Sequence, residues 1–150
     1  MSGLTRTLGG MANGFRYLTS ILFVAVVLQF AFAGYGVFYA EHKADHHQSV
    51  TKAAFDHGFD RHTVTGSVLL AVLLALVIAA VAGRLGATAV KFSVGLLIAG
   101  IVQIPLADLG RSVPALGFLH VLNGLAIYAA AGILAHRSWT TRRAPPPAGA

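Results

Sequence analysis

Four long apolar segments, separated by short polar or glycine-containing stretches, dominate the hydropathy pattern of this 150-residue chain. Each segment holds about 20 mostly apolar residues, the length that an α-helix needs to cross the hydrocarbon core of a bilayer. The pattern therefore predicts an all-α fold, a bundle of four transmembrane helices. The predicted spans run from about Phe15 to Tyr39, His62 to Ala82, Thr88 to Leu109 and Val113 to Ala135.

The segments between and beyond the spans are predicted to lie outside the membrane. Residues 1–14 form an N-terminal segment, residues 40–61 form a histidine-rich loop, and residues 136–150 form a basic, proline-rich tail that we expect to be disordered. The first span resembles a signal peptide, because residues 31–33 (Ala-Phe-Ala) imitate a cleavage site. Its apolar stretch continues past that site, so we expect the first helix to be retained.

The amino-acid composition excludes several classes of protein and of metal site. The chain is 56% hydrophobic and only 11% charged, whereas soluble domains carry roughly 25% charged residues. The absence of cysteine excludes disulfides, thiolate metal sites and iron–sulfur clusters. The net charge of +6 comes from basic residues spread beside the spans rather than from a dense basic stripe. We therefore expect the lipid bilayer as a partner, and no nucleic acid.

The distribution of charge predicts the orientation in the membrane. With both termini in the cytoplasm, the inner side holds seven of the 11 basic residues and no acid, while the outer side holds all five acids. This orientation satisfies the positive-inside rule and the reverse orientation violates it. We predict a multi-pass protein of the bacterial plasma (inner) membrane with cytoplasmic termini. The inner basic residues are Arg6, Arg16, Arg84, Lys91, Arg137, Arg142 and Arg143.

Short sequence patterns occur twice in the same order. The first and third spans share Gln-x3-Ala-x2-Gly, beginning at Gln29 and Gln103, and the second and fourth share His-x3-Gly, beginning at His62 and His120. We interpret the chain as two pseudo-repeated helical hairpins related by an axis along the membrane normal. That symmetry would bring His62 and His120 face to face in the bundle. The glutamines are expected to bond between helices, with a cofactor or quinone contact as the alternative.

Two facing imidazoles make a complete axial ligand set for haem, because the porphyrin itself supplies four nitrogens. The glycine of each His-x3-Gly motif lies one turn further along the same helix face and would clear the porphyrin edge. Arginines at the outer ends of the helices could pair with the anionic propionates. We predict one b-type haem with two histidine ligands; structural histidines and another ligand are the alternatives. The predicted cofactor-binding residues are His62, His120, Gly66, Gly124, Arg61 and Arg111.

The motifs that begin at His62 and His120, on the second and fourth of four spans, resemble those of one half of haem A synthase. That family consists of two four-helix halves, each placing a histidine pair around a haem near the outer surface. The resemblance covers about residues 15–135 and implies a haem-binding fold. The chain has only one half, no cysteine, and Phe59 where the family typically has a nearby glutamate. The resemblance therefore does not imply haem A synthesis. The chain also resembles small actinobacterial four-span membrane proteins.

The outer loop provides a second candidate metal site. His42 and His46 have the i, i+4 spacing that would place both on one helix face, where they could hold Cu²⁺, Zn²⁺ or Ni²⁺. A solvated polar loop is the alternative. Taken together, the sequence favours electron transfer, or an accessory role in a respiratory membrane complex beside other subunits, without independent catalysis. The alternatives are a cofactor-free structural or assembly subunit and an outer-face metal-binding protein.

Overall fold

The computed structural model describes the backbone of residues 2–140 and the side chains of residues 9–140. It contains four α-helices: α1 (Ser2–Asp45), α2 (Lys52–Ala82), α3 (Ala87–Gly110) and α4 (Pro114–Thr140). The all-α prediction is confirmed. Each helix is long and apolar enough to cross a membrane, which indicates a multi-pass membrane protein.

The helices extend beyond the predicted spans. The predicted 40–61 loop narrows to residues 46–51, because α1 continues to Asp45 and α2 begins at Lys52, where the Thr51 hydroxyl accepts a bond from the Ala54 N–H. Residues 2–14 belong to α1 and residues 136–140 to α4. Hydropathy identifies only the part of a helix that lipid would surround, so it does not identify helical turns that extend into water. The remainder of the predicted disordered tail, residues 141–150, lies outside the described residues.

The helices pack as an up-and-down bundle. Each contacts its neighbours in the pairs α1–α2, α3–α4, α1–α4 and α2–α3, and within residues 2–140 the Cα atoms of the diagonal pairs lie more than 8 Å apart. We call the end with the α1–α2 loop and the α3–α4 turn the loop end. The opposite end, where α1 begins, α4 ends and α2 turns into α3, is the terminal end. The two hairpins, α1–α2 and α3–α4, therefore lie side by side.

The buried core lies in the half of the bundle nearer the terminal end. Leu22, Leu76, Ala80 and Ala131 are fully buried there, and Thr19 and Ser93 are buried beside them. The loop half has no comparable apolar core among the described residues, since the buried positions there are Gly36 and Gly58. The packed half thus holds the hairpins together and leaves space between them at the loop end.

Glycines set the close approach of the two helices within each hairpin at the loop end. A Cβ on Gly36 would lie 2.8 Å from the Phe59 ring, and a Cβ on Gly110 would lie 2.7 Å from the Cα of Gly117. Both positions close the Gln-x3-Ala-x2-Gly pattern. Side chains can move but backbone cannot do so cheaply, so the α3–α4 contact is the stricter of the two.

Replacing Gly110 with alanine is expected to destabilise the protein by about 1–3 kcal/mol, the usual cost of overpacking. The added methyl group must push α3 away from the Gly117 backbone. Thermal unfolding in detergent measures the change. Gly95→Ala on the same helix is the control, because nothing lies within 4 Å of its added Cβ, and alanine favours a helix by roughly 0.5–1 kcal/mol over glycine. Equal melting temperatures for the two variants would contradict the close contact.

Candidate functional site

His62 on α2 and His120 on α4 face each other across the bundle, although the backbones of their diagonal helices do not come close. Their ring centroids lie 6.2 Å apart, with the ring planes inclined at 63°. Both side chains are partly buried. The structure therefore brings together the two histidines that the sequence pattern predicts to be a pair.

Each histidine is oriented by the partner helix of its own hairpin. The Nδ1 of His62 lies 3.1 Å from the backbone carbonyl oxygen of Gln29, and the Nδ1 of His120 lies 3.1 Å from that of Gln103. A carbonyl oxygen only accepts hydrogen bonds, so Nδ1 is the donor in both rings. In the neutral imidazoles, Nε2 then carries the lone pair. Metal-binding histidines are commonly held by such a bond from the other ring nitrogen, which fixes their tautomer.

A cavity of about 350 Å³ lies between the two hairpins in the loop half, and all four helices contribute to its walls. The floor is apolar and includes Leu73 and Ile127 from the buried core. Partly exposed Phe30 and Val121 line it along the α1–α4 seam. The exposed Thr63 of α2 also lines the cavity. The cavity thus runs between the hairpins, with one histidine contributed by each.

Both glycines of the His-x3-Gly motifs line this cavity. A Cβ on Gly66 would lie 3.0 Å from the amide nitrogen of Gln29, and a Cβ on Gly124 would lie 3.3 Å from that of Gln103. The glycines therefore make room for the two glutamine side chains. The expectation from sequence concerned only a porphyrin edge, so the structure adds a second reason for the absence of a side chain.

The two glutamines differ in their hydrogen bonds. Asn123 on α4 donates to the Gln103 Oε1 at 2.8 Å and to the Ala99 carbonyl oxygen at 2.9 Å, so Gln103 forms the predicted bond between helices. The Gln29 Oε1 is buried and has no hydrogen-bond partner within residues 9–140. On α2, Thr65 bonds instead to the Arg61 carbonyl of its own helix. Asn123 was not among the residues predicted from the sequence, although an amide side chain within the apolar α4 was an available signal.

The two predicted arginines are separated by the structure. Arg111, in the turn after α3, lines the cavity, and its Nη1 lies 3.9 Å from the Asp56 Oδ1 on α2. Arg61 is exposed, does not line the cavity, and places its guanidinium carbon 5.1 Å from the centroid of the Tyr35 ring. Of the two, Arg111 is therefore the residue placed to meet an anionic group at the cavity mouth.

The outer-loop histidines lie near the end of α1, on one face of the helix. The ring centroids of His42 and His46 are 4.2 Å apart, and the His46 Nδ1 lies 2.8 Å from the His42 carbonyl oxygen. Within the described part of the chain, no group of three or more His, Cys, Asp or Glu side chains could hold a metal ion. A metal site at His42 and His46 stays a prediction.

The separation of His62 and His120 is compatible with two imidazoles that share one metal ion. Metal–nitrogen bonds of about 2.0 Å and ring bonds of about 1.33 Å would allow ring centroids up to about 6.3 Å apart, and the observed distance is 6.2 Å. No third ligand side chain accompanies them among residues 9–140. A macrocycle that brings its own four nitrogens would complete the coordination.

The chain matches no protein family model, and neither the curated proteins nor the solved structures contain a significant match to it.

Proposed function

We propose that this protein is an integral membrane cytochrome-like protein that holds one b-type haem between His62 and His120. The single observation that carries the proposal is the pair of imidazoles 6.2 Å apart, each tied through Nδ1 to a backbone carbonyl. That bond leaves Nε2 of each ring as the ligand atom. Packing alone does not require the same bond to occur on both histidines.

Each part of the site has a distinct task in this proposal. His62 and His120 would hold the iron through Nε2, and the Gln29 and Gln103 carbonyls accept from Nδ1 and so keep each Nε2 available. Arg111 at the cavity mouth would pair with a propionate. The haem would supply reversible one-electron transfer. The apolar floor of the cavity would limit the access of water to the haem. Exposure to solvent is one of the factors that set a haem reduction potential.

The equivalent bonds of the two histidines support a duplicated hairpin. Under this proposal, a pseudo-two-fold axis along the membrane normal relates α1–α2 to α3–α4. The resemblance to one half of haem A synthase agrees with that arrangement, and we carry over from it the haem-binding fold alone. We infer a role in electron transfer, or as a haem-bearing accessory subunit of a respiratory membrane complex.

Optical spectroscopy of the purified protein tests the proposal. Protein from haem-replete cells should give a reduced-minus-oxidised spectrum with a sharp Soret band and α band, and one haem per chain. A spectrum without these bands would reject it. The outcome would then favour a cofactor-free assembly subunit, for which the packing of Gln29 against Gly66 and Gln103 against Gly124 is the supporting observation.

We also propose that the terminal end faces the cytoplasm of a bacterial cell. Helix directions place Arg16, Arg84, Lys91 and Arg137 at the terminal end and all five acids at the loop end, the asymmetry that the positive-inside rule describes. A cytoplasm-active reporter fused after Ala150 should therefore be active. Activity of a reporter that works only in the periplasm, fused at the same position, would reverse the orientation.

A further inference from the structure

An arginine and a tryptophan form a fixed pair at the terminal end, far from the histidines. The guanidinium carbon of Arg16 lies 4.4 Å from the centroid of the Trp139 ring. Trp139 is held in turn, because its Nε1 donates to the Ser20 Oγ at 3.0 Å and its ring meets Tyr17 edge to face at 5.9 Å. Ser20 donates to the Arg16 carbonyl oxygen. The guanidinium is thus pre-positioned by a rigid aromatic platform.

Among residues 9–140, the Arg16 guanidinium has no anionic partner. Its Nε is buried without a hydrogen-bond acceptor among the described residues. Nor does any carboxylate of residues 9–140 lie at the terminal end, since the acids occupy positions 41–60 and 108. The Nε is enclosed by the protein, so a ligand from outside would meet the terminal nitrogens of the partly exposed Arg16 side chain. A planar guanidinium matches the oxygens of a phosphate group.

A shallow apolar groove begins beside this pair and runs along α1 toward the middle of the bundle. It has a volume of about 370 Å³ and is lined by Ser20, Ile21, Val24, Ala25 and Leu28. Ser20 belongs to both features, since it lines the groove and bonds to Trp139. Ile21 and Val24 are more than half exposed, at 55% and 56%. The Arg16 guanidinium therefore lies beside one end of an apolar groove on a membrane-spanning helix.

We infer that this surface binds one anionic phospholipid, with its phosphodiester on Arg16 and an acyl chain along the groove from Ser20 to Leu28. The positive charge of the guanidinium selects the phosphate, and the groove selects the chain. A single basic residue near the membrane surface favours an anionic headgroup over a zwitterionic one. The inference is independent of haem binding at the other end of the bundle.

Fluorescence of Trp139, the single tryptophan of the chain, tests the inference. The full-length protein is reconstituted in phosphatidylcholine vesicles that contain increasing fractions of phosphatidylglycerol brominated high on its acyl chains. Half-maximal quenching is expected at about a fivefold lower fraction than with brominated phosphatidylcholine, since one basic residue near the surface contributes roughly that preference. Arg16→Gln should remove the preference, and Arg16→Lys should retain part of it.

Lys91→Gln is the matched control, because it makes the same charge change at the same end of the bundle, on α3. It should keep the preference of the unmodified protein. Equal quenching by the two brominated lipids in the unmodified protein would overturn the inference. So would an equal loss of preference in Lys91→Gln and Arg16→Gln, which would show that net charge alone attracts the lipid.

Discussion

Replacing His62 with alanine is expected to abolish the low-spin haem spectrum, and replacing His120 with alanine is expected to do the same. A haem iron that is held from both sides loses its six-coordinate state when either imidazole is removed. The effect should be complete for each variant rather than graded, because within the described residues no other histidine lines the cavity as a substitute. Optical spectra of the purified variants measure it.

His136→Ala is the control for these variants. His136 lies near the end of α4, at the opposite end of the bundle from the cavity, and is exposed. Its removal should leave the spectrum unchanged. An unaltered low-spin spectrum in His120→Ala would show that the iron is bound elsewhere, and it would remove the basis for pairing the two hairpins.

Gly124→Leu is expected to eliminate haem binding while the protein still inserts and folds. The first added atom would lie 3.3 Å from the Gln103 amide nitrogen, whose side chain can shift, and 3.7 Å from the Phe30 ring. The rest of the leucine side chain must then enter the cavity between the hairpins. Gly124→Ala adds only the tolerated first atom and should keep most of the haem. Haem content per chain, measured after purification, separates these outcomes.

Gly95→Leu provides the matched comparison, since it introduces the same side chain at a position with open space around its Cβ. Gly95 does not line the cavity, so this variant should keep full haem content. If Gly124→Leu also kept full occupancy, the macrocycle would not lie beside Gly124. The glycine would then serve only the packing of Gln103.

Hydropathy was sufficient to predict the number and centres of the helices, because burial in lipid requires long apolar runs. The repeated motifs also predicted that His62 and His120 would face each other, although the backbones of their helices do not come close. What hydropathy could not predict was where α1 ends and where α2 begins. The last turn of α1 near Asp45 and the first turns of α2 after Lys52 contain polar residues, so helical hydrogen bonding rather than apolar composition sets these ends.

The site was predicted less completely than the fold. Arg61 is adjacent in sequence to His62, and neighbouring residues on an α-helix point in directions about 100° apart, so Arg61 faces away from the cavity. This helical geometry does not apply to Arg111, because Arg111 lies in the turn after α3. The difference between Gln29 and Gln103 depends on Asn123, a contact between helices that the repeat does not contain. Matching motifs therefore predicted the shared features of the hairpins and not their differences.

We propose that His62 and His120 together hold a single haem iron. Near-infrared magnetic circular dichroism of the oxidised, purified protein distinguishes this coordination from others, because the energy of the ligand-to-iron charge-transfer band identifies the pair of axial ligands. One band at the energy of bis-imidazole coordination is expected, and it should be lost in both His62→Ala and His120→Ala. A high-spin spectrum, or a band that belongs to any other ligand pair, would contradict it.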